Sequence, residues 1–168
     1  MNLLITLTLL STVAMSGFRR LKLMTGTFMI QSLSIAFICF FLGYETNEAH
    51  YYALGMLTIL IKAIVIPIIM NKSINKLKTA REMNMIINGY WSYIFSSIFV
   101  VIALMLLKNF RQDLIKTGLV LILFGTFILI TRKKAINQMI GFLTVENGIV
   151  LIELSTVQMN LAIEFGIF

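Results

Sequence analysis

The sequence predicts an all-α integral membrane protein with six complete transmembrane helices, the start of a seventh, and an external N-terminus. Of its 168 residues, 59% are hydrophobic and only 12% are charged, and the mean hydropathy is +0.94. This composition is too apolar for a water-soluble surface and is typical of a chain that crosses a bilayer repeatedly. The basic residues lie in short clusters between the apolar runs. We therefore interpret residues 1–168 as one membrane domain whose solvent is the lipid bilayer.

The apolar runs are close to the length of about 20 residues that a helix needs to cross a bilayer. The predicted complete spans are Leu3–Phe18, Met24–Leu42, Tyr51–Met70, Gly89–Leu107, Leu114–Thr131 and Ala135–Leu154. Residues 155–160 are expected to form an external turn, and residues 161–168 to begin the seventh span. Because half a span would leave backbone groups unsatisfied in lipid, we expect the native chain to continue beyond Phe168.

The basic clusters predict the orientation of the chain. Lys and Arg residues concentrate in residues 19–22, 71–88 and 132–134, whereas the loop over residues 43–50 carries acids and no Lys or Arg. Under the positive-inside rule, the basic loops are cytoplasmic and the N-terminus is external. The basic residues behind the net charge of +7 are therefore explained by the orientation of the helices in the membrane. This explanation argues against nucleic-acid binding.

Four ionisable residues inside apolar runs are the candidate functional residues. Lys62 and Glu146 each lie 11 residues into their predicted span, roughly 16 Å along the helix axis, so they share a depth near the membrane centre. Glu153 lies seven residues further, on nearly the same helical face but nearer the outside. Glu164 falls early in the predicted seventh span. Charged groups at this depth are costly and usually mark proton or ion paths.

Proline and glycine positions predict the local geometry around these residues. Pro67 removes a backbone hydrogen bond, so a kink is expected beside Lys62. Small residues recur every seven positions on two of the predicted spans, at Gly118 and Gly125 and at Gly141, Gly148 and Ser155. Small residues allow close helix contact in membranes. We therefore expect the fifth and sixth spans to pack together on the side of the sixth span away from Glu146.

The alternative is a purely structural role, in which Lys62 and one glutamate form a static ion pair that only fixes the helix register. Three acids and one base leave carboxylates that a single pair does not explain, so we favour a proton path. The chain has no pair of cysteines, no second histidine, no phosphate-binding loop and no nucleophile elbow. These observations predict a non-catalytic subunit with no cofactor of its own.

Three segments resemble the hydrogenase-4 component E family of membrane subunits. They are TRKKAINQMIGFLTVENGIVLI at residues 131–152, LTILIKAIVIPIIMNKSINKL at residues 57–77, and LAIEFGIF at residues 161–168. The resemblance covers nearly the whole chain, and its most specific part is the GFL-x-x-ENG-I segment. Members of that family belong to formate hydrogenlyase and related membrane-bound [NiFe] hydrogenase complexes.

The resemblance implies a particular division of the chain and a particular setting. Residues 113–168 are similar to the K subunit of respiratory complex I and the C subunit of Mrp-type antiporters, and residues 1–112 are a four-helix N-terminal part. Glu146 and Glu164 match the two intramembrane glutamates of the K-type subunit, and Lys62 matches a lysine of the additional helices. The implied location is the prokaryotic cytoplasmic membrane.

The implied partners are membrane subunits like the antiporter and quinone-site H subunits, together with a peripheral hydrogenase-type arm. The NiFe centre and iron–sulfur clusters are expected in those partner subunits. Redox-driven translocation of protons or another cation is then the predicted function of the complex. There are two alternatives to this function. The chain would be a subunit of a cation/proton antiporter without a redox arm, or a scaffold that locks neighbouring subunits together.

Overall fold

A computed structural model describes residues 1–18, 20–76, 89–107 and 112–166, and all the elements within these ranges are helices. The α-helices are α1 (Asn2–Gly17), α2 (Leu21–Thr46), α3 (Ala49–Thr58), α4 (Ile66–Lys76), α5 (Gly89–Leu106), α6 (Asp113–Thr131) and α7 (Ala135–Gly166). A π-helical stretch at Ile59–Val65, called here the π segment, joins α3 to α4 without a break. The predicted all-α class is confirmed.

Four helical runs are long and apolar enough to cross a membrane: Leu21–Thr46, Ala49–Ile74, Asp113–Thr131 and Ala135–Thr156. Shorter apolar helices cover Asn2–Gly17 and Tyr93–Met105. The chain therefore has the architecture of a multi-pass membrane protein. Each predicted span overlaps one of these helices, and four of the six lie on runs long enough to cross a membrane. Helix α2 also extends into the acid-bearing loop that was expected to begin at Gly43. The predicted basic loop is helical up to Lys76, and its remainder at residues 77–88 lies outside the described residues.

The predicted turn at residues 155–160, and with it the separate seventh span, is wrong. Helix α7 runs without interruption from Ala135 to Gly166. The polar residues at the expected turn find partners without ending the helix: the Thr156 hydroxyl donates to the Ile152 carbonyl of its own helix, and the Ser155 hydroxyl donates to Gln112 Oε1. A helix can thus continue through them, since no proline interrupts it.

Two apolar clusters form the interior, one toward each end of the helices. The first includes Met15 of α1, Phe28 of α2 and Leu143 of α7. The second includes Ile5, Ile35 and Leu151 from the same three helices, each further toward the other end. On these three helices, buried polar residues such as Thr12, Gln31 and Asn147 lie between the two clusters. On α1, α2 and α7, the interior therefore has a polar layer between two apolar ones.

The predicted glycine contact between α6 and α7 is confirmed. A Cβ atom added to Gly118 would lie 2.7 Å from the Gly148 carbonyl oxygen, and one added to Gly125 would lie 2.6 Å from the Gly141 carbonyl oxygen. Likewise, a Cβ atom added to Gly141 would contact the Gly125 carbonyl oxygen, and one added to Gly148 would contact the Gly118 carbonyl oxygen. The two backbones therefore touch, and this contact fixes which side of α7 is left for Glu146.

Candidate functional site

Lys62 and Glu146 form an ion pair inside the helical bundle. The Lys62 Nζ atom lies 3.1 Å from Glu146 Oε1, although the residues are far apart in sequence. Lys62 is 8% exposed, whereas 45% of the Glu146 side chain remains accessible. This distance shows that the two side chains meet at one level of the bundle; their depth in the membrane stays a prediction. The pair has one member enclosed by this chain and one that also faces outward.

Asn147 connects the ion pair to the interior. Its Oδ1 accepts a hydrogen bond of 2.9 Å from Lys62 Nζ. Its Nδ2 donates to Gln31 Oε1 at 3.3 Å and to Ser32 Oγ at 3.4 Å. Gln31 Nε2 in turn donates to Thr12 Oγ1 at 2.7 Å. We call this set (Thr12, Gln31, Ser32, Lys62, Asn147 and Glu146) the interior polar network.

The interior polar network is the polar layer between the two apolar clusters. Thr12, Gln31, Ser32 and Asn147 are each 0% exposed, and together with Lys62 they tie α1, α2, the π segment and α7 to one another. Buried polar groups carry a large cost unless they are hydrogen-bonded, and here each of these side chains has a partner. The network therefore fixes the relative register of these helices.

The π segment places Lys62 against α7. In this stretch the Ile66 N–H donates to the Ile61 carbonyl, five residues back, so one extra residue is accommodated in the turn. A single wide turn of this kind changes the direction of every side chain beyond it and often occurs at functional sites. Pro67 lies just after the segment, and it lacks the N–H that an α-helical turn would use there. The predicted disturbance beside Lys62 thus takes the form of a π-helical turn.

Of the other two predicted acids, Glu153 does not join the interior polar network, and Glu164 lies elsewhere along the chain than predicted. Glu153 is exposed on α7, and the structure gives it no contact with Lys62. Glu164 was expected on a neighbouring helix as the partner of Glu146, and this is wrong, because both residues lie on α7. They are 18 residues apart, about 27 Å along the helix axis. That separation rules out direct proton transfer between them.

A second polar cluster lies beside the end of α6; we call Ser16, Ser96 and Arg132 the turn-end cluster, because Arg132 donates to Ser16 and the Ser16 and Ser96 hydroxyls are 2.6 Å apart. Arg132 follows the end of α6 and is only 2% exposed. Its Nη2 donates to the Ser16 carbonyl at 2.6 Å, one residue before α1 ends, where a cation offsets the partial negative charge of the last carbonyls. Burial lowers the pKa of the guanidinium to about 10, so it stays protonated at neutral pH.

Sequence reasoning missed both amides of the interior polar network and the burial of Arg132. Asn147 was interpreted only as a helix residue, and Arg132 as a topology signal. Gln31 and Asn147 could have been found, because a side-chain amide within a transmembrane run usually finds a partner on another helix. The burial of Arg132 had no comparable signal, since its neighbours Lys133 and Lys134 have the same charge.

Within the ranges that the structure describes, no group of three or more His, Cys, Asp or Glu side chains could hold a metal ion. The interior polar network consists of amide, hydroxyl, ammonium and carboxylate groups. No family model, curated protein or solved structure matches the chain.

Replacing Gln31 with methionine should lower the free energy of unfolding by about 1.5 kcal/mol. The change keeps the side-chain volume but leaves Asn147 without one of its acceptors. Thermal unfolding in detergent measures the effect. Ser34→Ala is the matched control on α2, because the Ser34 hydroxyl donates only to the Ile30 carbonyl of its own helix. Equal stability of the two variants would contradict the bridging role of Gln31.

Proposed function

We propose that this chain is a membrane subunit of a complex I-like, redox-driven proton- or cation-translocating complex, of the membrane-bound hydrogenase type, in a prokaryotic cytoplasmic membrane. Six spanning helices with an external N-terminus are part of this proposal. The observation that carries it is the Lys62–Glu146 pair between two long apolar helical runs, joined to a hydrogen-bonded chain of buried polar groups. The resemblance to hydrogenase-4 component E supports the choice of complex.

The geometry supports proton transfer at Glu146 in particular. Its carboxylate is held by Lys62 on the inner side, while almost half of the side chain faces outward. A half-exposed carboxylate is not stable against lipid at this depth, so the outer side needs a proton, water or a neighbouring protein group. Glu146 is therefore the point at which a proton can pass between this chain and its surroundings.

Lys62 and Asn147 control that transfer. When Glu146 is ionised, the Lys62 ammonium stabilises it across 3.1 Å. When Glu146 takes up a proton, the ammonium loses its counter-charge, while the carboxyl C=O oxygen and Asn147 Oδ1 can still accept hydrogen bonds from it. The position of the Lys62 ammonium between Glu146 and Asn147 is thus coupled to the charge on Glu146.

The energy for such shifts would come from partner subunits. We propose that a peripheral hydrogenase-type arm with a NiFe centre and iron–sulfur clusters carries out the electron transfer. This chain has one cysteine, too few for a cysteine-ligated cluster. Antiporter-like and H-type membrane subunits would contact its outer faces.

Glu146→Gln tests the proposal in the intact complex. The amide keeps the size of the side chain and can still accept from Lys62, but it cannot take up a proton. Ion pumping into sealed vesicles should fall at least tenfold while the purified complex keeps its subunits. Glu153→Gln is the matched control on the same helix and should pump normally. Full pumping by the Glu146→Gln complex would refute the proposal.

The composition of that purified complex tests the redox part of the proposal. Mass spectrometry of the detergent-solubilised assembly should identify NiFe and iron–sulfur subunits. Finding only antiporter subunits would show that the same carboxylates serve a cation/proton antiporter without a redox arm.

A structural scaffold is the second candidate function, and one observation favours it. Lys62 already has two partners, Glu146 and Asn147, so the network also holds the π segment against α7. For a scaffold, Glu146→Gln should loosen the complex at least as much as it reduces pumping. The ratio of the two effects, measured on the same preparation, separates the candidates.

A further inference from the structure

One side of α7 faces away from the rest of the chain. Over residues 135–156, where the side chains of α7 are described, the exposed residues are Ala135, Met139, Phe142, Ile149, Glu153 and Thr156. Glu146 lies among them, with 45% of its side chain accessible. With Glu146 included, successive members are alternately four and three residues apart, so they share one side of the helix. We call its central part, formed by Met139, Phe142, Glu146 and Ile149, the Glu146 face.

The spacing of the Glu146 face fits a neighbouring helix. Residues that alternate at intervals of three and four have the 3.5-residue period with which helices pack side by side at a shallow angle, in water and in membranes. Phe142 is 60% exposed and Ile149 is 53% exposed, so each presents a large apolar side chain to whatever covers the face. Lipid acyl chains would cover these two side chains equally well. The chemistry of Glu146 therefore decides what the occupant is.

The Glu146 carboxylate has fewer hydrogen-bond donors than it can accept from. An ionised carboxylate has about four acceptor sites. In the described parts of the chain, Lys62 is the only residue that forms an ion pair or hydrogen bond with this side chain. An ion pair removed from water is stable only when further hydrogen bonds satisfy the remaining lone pairs. Acyl chains have no donors, so the face requires a donor from another protein chain.

The charge balance selects the kind of donor. Lys62 already neutralises Glu146 across 3.1 Å, so a second cation would leave a net positive charge beside the apolar Phe142 and Ile149, where charge is costly. A second copy of this chain, packed face to face, would bring another carboxylate, which only accepts. A hydroxyl or amide group donates to the carboxylate without changing the charge, and such groups join helices within membranes.

We propose that the Glu146 face binds a transmembrane helix of another subunit, which packs on Phe142 and Ile149 and donates a hydrogen bond to Glu146 from an uncharged hydroxyl or amide side chain. This inference rests on the proposed function, and it names the kind of partner at the proposed site of proton transfer. Glu153 is not part of the contact, because it lies seven residues further toward the predicted external end, where water and headgroups solvate a carboxylate.

Photo-cross-linking in the assembled complex tests the contact. The photoreactive amino acid benzoylphenylalanine replaces Phe142 or Ile149 in the full chain, and native membranes are irradiated. The matched control places it at Ile98 of α5, because Ile98 is 50% exposed and Ile149 is 53% exposed. Mass spectrometry of the digested product identifies the residues that are cross-linked to each position.

Positions 142 and 149 should cross-link to one transmembrane segment of another subunit, at two sites about seven residues apart. A Ser, Thr, Tyr, Asn or Gln should lie between those sites, and position 98 should give at least tenfold less cross-linking to that segment. Cross-linking to lipid alone, or between two copies of this chain, would overturn the proposal. So would a segment whose only polar residue between the two sites is Lys or Arg.

Two double variants test the hydrogen bond itself. Lys62→Met with Glu146→Gln removes both charges but keeps an acceptor oxygen, whereas Lys62→Met with Glu146→Leu also removes the acceptor. Both lack the lysine, so its loss affects them alike. Cross-linking from position 149 is measured at the detergent concentration that halves the yield of the complex with native Lys62 and Glu146. The Gln variant should stay within twofold of that yield, and the Leu variant should fall about fivefold below the Gln variant; equal yields would overturn the proposed hydrogen bond.

The failure of this proposal differs from the failure of the proposed function. Cross-linking yields do not depend on pumping. If position 149 cross-links only to lipid while Glu146→Gln abolishes pumping, the docking face is wrong and the proton site stands. If the cross-links form as expected while Glu146→Gln pumps fully, the helix contact stands and the proposed function is wrong.

Discussion

Replacing Lys62 with methionine should lower the free energy of unfolding by about 3 kcal/mol, the lower end of the range for removing one partner of a buried ion pair. The substitution keeps the length of the side chain but leaves the Glu146 carboxylate without its counter-ion. It also leaves Asn147 Oδ1 without the donor that lies 2.9 Å away. The lower end applies because only Lys62 is enclosed by this chain, whereas 45% of the Glu146 side chain is accessible. Reversible unfolding in mixed micelles measures the change.

Two comparisons make this result specific. Lys116→Met removes an ion pair with Asp113 whose distance, 2.8 Å, is shorter than that between Lys62 and Glu146. In this pair, however, 60% of the Asp113 side chain is accessible. Its effect should stay below about 1 kcal/mol, as for exposed pairs in general. In the Lys62→Met, Glu146→Gln double variant, the carboxylate is gone, so its loss of stability should be smaller than the sum of the two single losses by at least 1 kcal/mol. Strict additivity would show that the two side chains do not interact.

Much of the fold could be predicted from the sequence, because in a membrane protein hydropathy alone defines where helices lie. The predicted Leu114–Thr131 and the observed Asp113–Thr131 differ by one residue. The shared depth of Lys62 and Glu146 also followed from counting residues at a fixed rise along each helix. These predictions needed only periodicity and length, and no knowledge of which helices are neighbours.

The features that sequence reasoning missed all depend on which helices are neighbours. The hydrogen bond from Asn147 to Gln31 joins α7 to α2, and nothing in the local sequence of either helix indicates that the other helix is its neighbour. Arg132 is buried because the end of α1 lies beside it. The incorrect prediction of a turn at residues 155–160 has a different cause. Polar residues were interpreted as a loop, whereas the Ser155 hydroxyl donates to Gln112 and the Thr156 hydroxyl donates to a carbonyl of its own helix.

The position of the interior polar network also depends on the contact between α6 and α7. Gly148 directly follows Asn147, and a Cβ atom added to Gly148 would lie 2.5 Å from the Gly118 carbonyl oxygen and 2.8 Å from the Ile122 side chain. The first of these neighbours is backbone and cannot rotate away. Any side chain at Gly148 must therefore push α7 from α6, and Asn147 moves with it relative to Lys62.

Gly148→Ala should accordingly lower the free energy of unfolding by about 2 kcal/mol, within the range for overpacking a well-packed interior. Gly26→Ala is the matched control: it introduces the same methyl group inside α2, where nothing lies within 4 Å of the added atom. Alanine favours a helix over glycine by up to about 1 kcal/mol, so the control should be neutral or stabilising. Unfolding of both variants in the same micelles measures the difference.

The effect of Gly148→Ala should extend to transport. Because the methyl group displaces Asn147 from Lys62, pumping by the assembled complex should fall even though no titratable group has changed, whereas the Gly26→Ala complex should pump normally. If Gly148→Ala were as stable and as active as Gly26→Ala, the backbone contact between α6 and α7 would have no part in positioning Glu146. If Gly148→Ala lowered the stability but left pumping intact, the contact between α6 and α7 would hold the two helices together without affecting transport.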